Sequence, residues 1–236
     1  GVQQQLLEEI FRVNKNIVLV LNNGRPLAIG WADENIPSIV EAWQLGTQSG
    51  NAIAEVLYGD YNPSGKLPMT FPRNVGQVPI YYNYKNTGRP GPSKQIFWSQ
   101  FNDQPNTPLY PFGFGLSYTT FGYSNIVIDN KILKKDSSIN VSIDIENTGN
   151  LKGKEVVQLY LKDRYASVTR PVRELKGFEM IELSPGQIKT VNFKISEPLL
   201  KFYSANEIWE SELGFFDIFI GTDSNAIVKE SFELIE

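Results

Sequence analysis

The apolar positions change their period part-way along the chain. Val2, Leu6, Ile10 and Val13 recur at helical spacing, and Leu7 and Phe11 widen the same stripe, which predicts a helix over residues 3–13 packed on a sheet. Ile17 to Leu21 follows as an unbroken apolar run with two valines, the pattern of a strand covered on both faces in a parallel sheet. Asn22-Asn23-Gly24 reads as a turn, Leu27 to Ile29 as a second short strand, and Ser38 to Trp43 as a third. A helix opens at Ser49 or Gly50, carries Ile53, Val56 and Leu57 on one face, and ends at Gly59. Asn62-Pro63-Ser64-Gly65 is a strong turn signal, followed by a short strand from Leu67 to Phe71. Residues 73–108 hold five of the fourteen prolines and little periodicity, which predicts a long ordered surface loop of functional or interfacial use.

From Phe121 the period becomes two. Candidate strands run over 124–129, 139–146, 155–161, 173–181, 190–195, 200–203, 215–221 and 226–232, with breakers at Asn147-Thr148-Gly149, Ser184-Pro185-Gly186 and Gly221-Thr222-Asp223. Seven or eight short strands in this span suit an immunoglobulin-like sandwich. The Pro/Gly/aromatic string Tyr110 to Phe121 separates the two regimes, and no internal repeat links them. The expected organisation is an α/β domain with a mostly parallel sheet over 1–115, followed by an all-β immunoglobulin-like sandwich over 116–236.

Composition narrows the chemistry. A chain of 236 residues, 41% hydrophobic and 20% charged, accommodates two ordinary domains, each with its own core. No apolar run approaches the roughly 20 residues of a membrane helix. A net charge of −4 gives no electrostatic reason to expect nucleic acid or an anionic membrane. With neither cysteine nor histidine, disulfides, thiolate nucleophiles, ordinary zinc sites and Ser-His-Asp triads are excluded, and no metal or cofactor is expected. Gly1-Val2-Gln3 runs straight into the helix without a basic or apolar leader, so no signal peptide is expected within the chain. The redox compartment stays open.

An ordered series of strings gives a more specific reading. NIVLVLNNGRPL (16–27), WADENIPSIVEAW (31–43), SGNAIAEVLYGDYNPSGKLPMTFP (49–72), VGQVPIYYNY (75–84), NTGRP (86–90) and YPFGFGLSYTTF (110–121) precede ENTGN, GKEVVQLYLKD, VTRPVRELKGFE and LSPGQIKTVNF. In this order they resemble the C-terminal part of the family 3 glycoside hydrolases of β-glucosidase type: the second half of their α/β sandwich domain and their fibronectin type III-like domain. The resemblance implies a retaining enzyme that removes terminal β-linked glucose or a related sugar. Such chemistry uses a nucleophile and an acid/base carboxylate about 5–5.5 Å apart. In the family the nucleophile is an Asp of an N-terminal barrel, and the acid/base is a Glu upstream of the segment matching Gln3 to Leu7. The resemblance therefore assigns no catalytic residue to this chain, which is expected to be inactive alone. Its implied partners are the missing barrel domain and a β-glucoside or oligosaccharide, and its implied location is periplasmic or secreted. Two strings depart from the family pattern. Ser99-Gln100-Phe101-Asn102-Asp103 stands where Ser-Arg-Tyr-x-Asp is usual, so Asp103 lacks an arginine neighbour; Leu45 to Gly50 replaces Pro-Gly-x-x-Gly-Gly, with Ser49 as a possible helix cap.

The substrate-binding candidates are Arg25, Trp31, Trp98 and Asp103. Arg25 either brings a guanidinium to the mouth of the sugar site or fixes its turn by pairing with an acid such as Asp60. Trp31 and Trp98 are candidates for sugar stacking, with packing of Trp98 against the barrel the favoured alternative. Trp43 and Trp209 are expected in cores, Lys66 as a solvated turn residue, and Asp33-Glu34 as the acidic first turn of a helix. Arg164, Arg170 and Arg173 are expected to pair with Asp163 and Glu174 at the surface or to dock the preceding domain. A different class of function, a non-catalytic carbohydrate-binding or interaction protein, would show a row of exposed aromatic residues on the sandwich; a third arrangement has a separate polypeptide supply the barrel. An unpaired sheet edge would favour homo-oligomerisation.

Overall fold

The computed structural model describes the backbone of residues 1–236 and every side chain except that of Val228. The chain forms two compact units, residues 1–61 with 71–79, and residues 62–70 with 80–236.

In the first unit α1 (Val2–Val13) leads into β1 (Val18–Leu21), and α2 (Gly30–Asn35) links it to β2 (Ser38–Glu41), before α3 (Ser49–Tyr58). β1 and β2 pair in parallel, from Val18 opposite Ser38 to Leu21 opposite Glu41. The continuous apolar run of β1 suits that arrangement. Its burial falls short of the expectation, because a two-stranded sheet offers too little surface to cover both faces, and Val18 remains exposed. The same shortage leaves the α1 stripe of Val2, Leu6, Ile10 and Val13 open to solvent, with only the Leu7 and Phe11 side half-buried. The small core consists of Ala32, Ile36, Ala42 and Phe71, with Trp43 edge-on to Phe71 at 6.0 Å.

Three further local expectations are corrected. Leu27 to Ile29 is not a strand: Pro26 removes a donor and α2 begins at Gly30, leaving a short stretch with no ladder partner. Leu67 to Phe71 is interrupted by Pro68, and only Phe71 forms a bridge. Ser49 is the first residue of α3 rather than its cap; Gln48 holds that position without a side-chain hydrogen bond. Asp33 does lie in the first turn of α2.

The second unit is a sandwich. One sheet has β3 (Phe121–Ile128), β5 (Ser138–Asn147) and β8 (Ile188–Ser196) in the order β3-β5-β8. The other has β4 (Ile132–Lys134), β6 (Gly153–Asp163), β7 (Glu174–Leu183), β11 (Gly214–Gly221) and β12 (Val228–Ile235), in the order β4-β12-β11-β6-β7. A short hairpin joins β9 (Phe202–Tyr203) to β10 (Trp209–Glu210). Period two explains the core. Ile139, Val141, Ile143 and Ile145 of β5 turn one way, and they are buried with Val157, Leu159 and Leu161 of β6 and Phe216, Ile218 and Ile220 of β11. The eight strands anticipated by alternation are all present; β4 and β10 are too short to give a periodic signal. Residues 73–108 contain one turn of 3-10 helix at Val75–Gln77 and two isolated bridges, Lys85 with Pro171 and Pro90 with Ser99.

Candidate functional site

The four substrate-binding candidates are not gathered by any described contact. Arg25 is exposed, and no ion pair among the described residues involves it or Asp60; its carbonyl accepts from Asn23 Nδ2 at 2.8 Å. The proposed pairing with Asp60 is thus absent from the described ion pairs. Trp31 is half-buried, with Phe11 edge-on at 5.6 Å. Trp98 is half-buried and its indole N–H donates to Gln95 Oε1 at 2.8 Å. Its loop exposes Ile96 and Phe97. Asp103 lies exposed in the same loop.

The polar chemistry is concentrated where residues 62–70 and 80–118 meet the sandwich, all within the second unit. Lys66, expected in solvent, is instead buried. Its ammonium donates to Thr222 Oγ1 at 2.6 Å and to the Gly115 carbonyl at 3.2 Å, and pairs with Glu155 at 3.2 Å. Tyr123 donates its hydroxyl to the same carboxylate at 2.7 Å. Burial, reinforced by the Glu155 charge, pushes the Tyr123 hydroxyl well up from its usual range, so it stays a donor. Lys66 is pulled inward because Glu155, on the core side of β6, would otherwise be a buried charge without a cation.

Two glycines make this approach possible. Gly113 has φ +81°, and a Cβ there would overlap Gln158 Oε1; a Cβ on Gly115 would overlap the Gly65 carbonyl. Backbone bonds join the two strings directly, Leu67 N to Phe114 O at 2.7 Å and Gly113 N to Leu67 O at 2.8 Å. Gln158 donates to the Gly113 carbonyl at 3.1 Å and the Thr222 carbonyl at 2.6 Å. Tyr82 stacks on Phe112 with centroids 4.4 Å apart, and its hydroxyl accepts from Leu175 N. Asn62 accepts from the Ser117 hydroxyl and the Tyr118 N–H, both at 2.8 Å, and donates to the Lys152 carbonyl. Deeper in the sandwich, buried Asn147 accepts from Thr119 Oγ1 at 2.6 Å and Gly149 N at 3.1 Å, and donates to the Leu151 and Leu183 carbonyls.

The arginines divide among different tasks. Arg164 pairs with Asp217 at 2.6 Å. Arg170 pairs with Glu174 at 2.6 Å and lies over the Phe202 ring. Arg173 is not a surface pair: it donates to the Ser224 and Ala226 carbonyls and lies over Phe219, and burial lowers its pKa from the ordinary arginine value. Asp163 reaches Arg170 only at 4.0 Å, and burial pushes its carboxyl up to about 6. Trp209, expected in a core, is 66% exposed because it sits on the outer face of the β9–β10 hairpin.

Sequence reasoning missed Lys66, Glu155 and Gln158, which meet around Thr222, and missed Asn147 apart from them. A signal existed: Glu155 and Gln158 interrupt the apolar strand GKEVVQLYLKD on its two opposite faces, both are buried, and buried polar groups demand partners.

Chemically this arrangement holds residues 62–70 and 110–118 on the sandwich. Residues 1–118 match the glycosyl hydrolase family 3 C-terminal domain, and residues 155–224 match the fibronectin type III-like domain. The periplasmic β-glucosidase of Salmonella typhimurium is 48% identical over 235 residues, which are 99% of this chain and 31% of that protein. A β-xylosidase of Formosa agariphila is 46% identical over 96% of this chain and 31% of its own length. The chain therefore spans less than a third of these two relatives. The crystal structure of a Listeria innocua β-glucosidase in complex with glucose superposes with a TM-score of 0.93 at 38% identity, over 99% of this chain and 33% of that one. With an α/β unit that matches the family's C-terminal domain and a fibronectin type III-like sandwich behind it, the chain belongs to glycosyl hydrolase family 3.

Proposed function

We propose that this chain is the C-terminal portion of a retaining β-glucosidase that hydrolyses terminal β-linked glucosyl residues, and that it is silent alone because the catalytic carboxylates lie elsewhere in the enzyme. The observation that carries the reading is the open apolar stripe of α1 beside a sheet of only two strands. An amphipathic helix of this kind has its stability in packing, and the rest of an α/β domain would supply the cover. The names of the relatives support the reaction class, glucosidase in one case and xylosidase in another, and the periplasmic relative supports a periplasmic or secreted location.

In the whole enzyme the division at 115/116 separates the α/β part from the sandwich. Arg25 and Asp103, exposed and outside the described ion pairs, are the polar groups we assign to sugar hydroxyls. Trp31 is the candidate stacking platform, while Trp98 and its exposed neighbours Ile96 and Phe97 pack against the barrel. Without that cover, the open edge of β1 and β2 favours self-association of the chain.

The test is release of p-nitrophenol from the aryl β-glucoside by the chain alone and mixed with the barrel region of a matching parent enzyme. The expected result is silence alone and hydrolysis in the mixture. Hydrolysis by the chain alone would overturn the assignment of the carboxylates, and silence in both would favour a non-catalytic binding or structural role.

A further inference from the structure

The β9–β10 hairpin places Tyr203 directly opposite Trp209, 61% and 66% exposed, while Phe202 beside them turns inward at 2%. This puts two large apolar side chains next to each other in water, an unusual exposure for rings that gain by burial. They border a cavity of about 420 Å³, a size suited to a small ligand, which lies wholly within the second unit. Lys85, Arg170, Lys176 and Lys201 also line it, against the single carboxylate of Glu174.

That charge is unusual for a chain of net charge −4. Glu174 is already neutralised, by Arg170 at 2.6 Å and Lys176 at 3.6 Å, and Lys201 has Glu197 at 3.6 Å. Lys85 is exposed and enters no described ion pair. Arg170 is fixed in place by Phe202, 4.1 Å from its guanidinium, and its buried Nε faces Asp163 Oδ2 at 4.0 Å. A guanidinium held in place, an exposed ammonium outside the described ion pairs and two aromatic side chains thus line one cavity.

We propose that this face of the sandwich binds a saccharide carrying a carboxylate, with a C–H face of the sugar on Trp209 and Tyr203 and the carboxylate toward Lys85 and Arg170. A neutral sugar would use the rings but leave the cations unanswered. An acidic peptide would satisfy the cations without a flat C–H face to match the two rings. The proposal rests on these side chains and not on the reading given above for the reaction.

The experiment is a nuclear magnetic resonance titration of the 236-residue chain, following the Trp209 indole N–H, with trigalacturonate, cellotriose, acetate and hexaglutamate. Trigalacturonate is expected to shift that signal saturably and at least about tenfold more tightly than cellotriose, with acetate and hexaglutamate weaker still. Followed by the Lys85 and Tyr203 backbone amides, Trp209→Ala should abolish the binding, and Lys85→Ala, at an exposed loop position and read on the Trp209 indole, should weaken it about threefold. Equal affinity for cellotriose, an equal response to acetate or hexaglutamate, unchanged binding in both variants, or no shift with trigalacturonate would each overturn the proposal.

Discussion

Replacing Lys66 by alanine is expected to remove about 3–5 kcal/mol of stability from the sandwich unit, as the loss of one partner of a buried ion pair does. The side chains of Lys66 and Glu155 are 11% and 4% exposed, so the truncation strands a largely desolvated carboxylate. Tyr123 alone would then hold that carboxylate, while the Gly115 carbonyl and Thr222 hydroxyl lose a donor. Urea unfolding of the single variant measures the loss. The double variant Lys66→Met with Glu155→Leu should regain most of it, short of the Tyr123 hydrogen bond, because an apolar pair removes the stranded charge. A loss below about 1 kcal/mol in the single variant would mean that the ion pair is solvated and does not clamp residues 62–70 to the sandwich.

Asn147→Ala should cost about 3–4 kcal/mol by the same kind of argument without a charge. The asparagine is fully buried and its amide is saturated: two acceptances at Oδ1 and two donations from Nδ2. Alanine leaves the Thr119 hydroxyl and the Leu151 and Leu183 carbonyls without this partner, where solvent is scarce. Asn147→Asp should be nearly as costly, since a carboxylate accepts but cannot donate to the two carbonyls. Thermal unfolding of both variants checks the point, and a milder effect for aspartate than for alanine would show that the acceptances dominate.

How far these features could be read from the sequence depended on the range of the interactions. Sandwich strands were legible because each has one wet and one dry face, a pattern that survives in isolation as alternation: Ile139, Val141, Ile143 and Ile145 announce their own face. The parallel pair of β1 and β2 was legible for a related reason, but its burial was not. Apolar content states what a strand requires, whereas cover depends on neighbours the strand does not encode, so the α1 stripe and Val18 stay open. Lys66 was misread because local composition around Gly65 describes a turn, while its true partner is 89 residues away on β6. Trp209 was misread in the opposite sense: ring size suggested a core, and the register opposite Tyr203 turned it outward. The candidates Arg25, Trp31, Trp98 and Asp103 lie in loops and a short helix with no shared periodic pattern, and no described contact gathers them.

The central claim is that the second unit is a finished structure and the first an unfinished one. Hydrogen exchange resolved by residue tests it most directly, because local opening free energies follow the local density of packing. In the chain alone, the amides of Val20 and Val40 should exchange at least about a hundredfold faster than those of Ile143 and Leu159, and they should slow on addition of the barrel region of a matching parent. Equal protection of the two groups in the chain alone, or no slowing on addition of that region, would contradict the account.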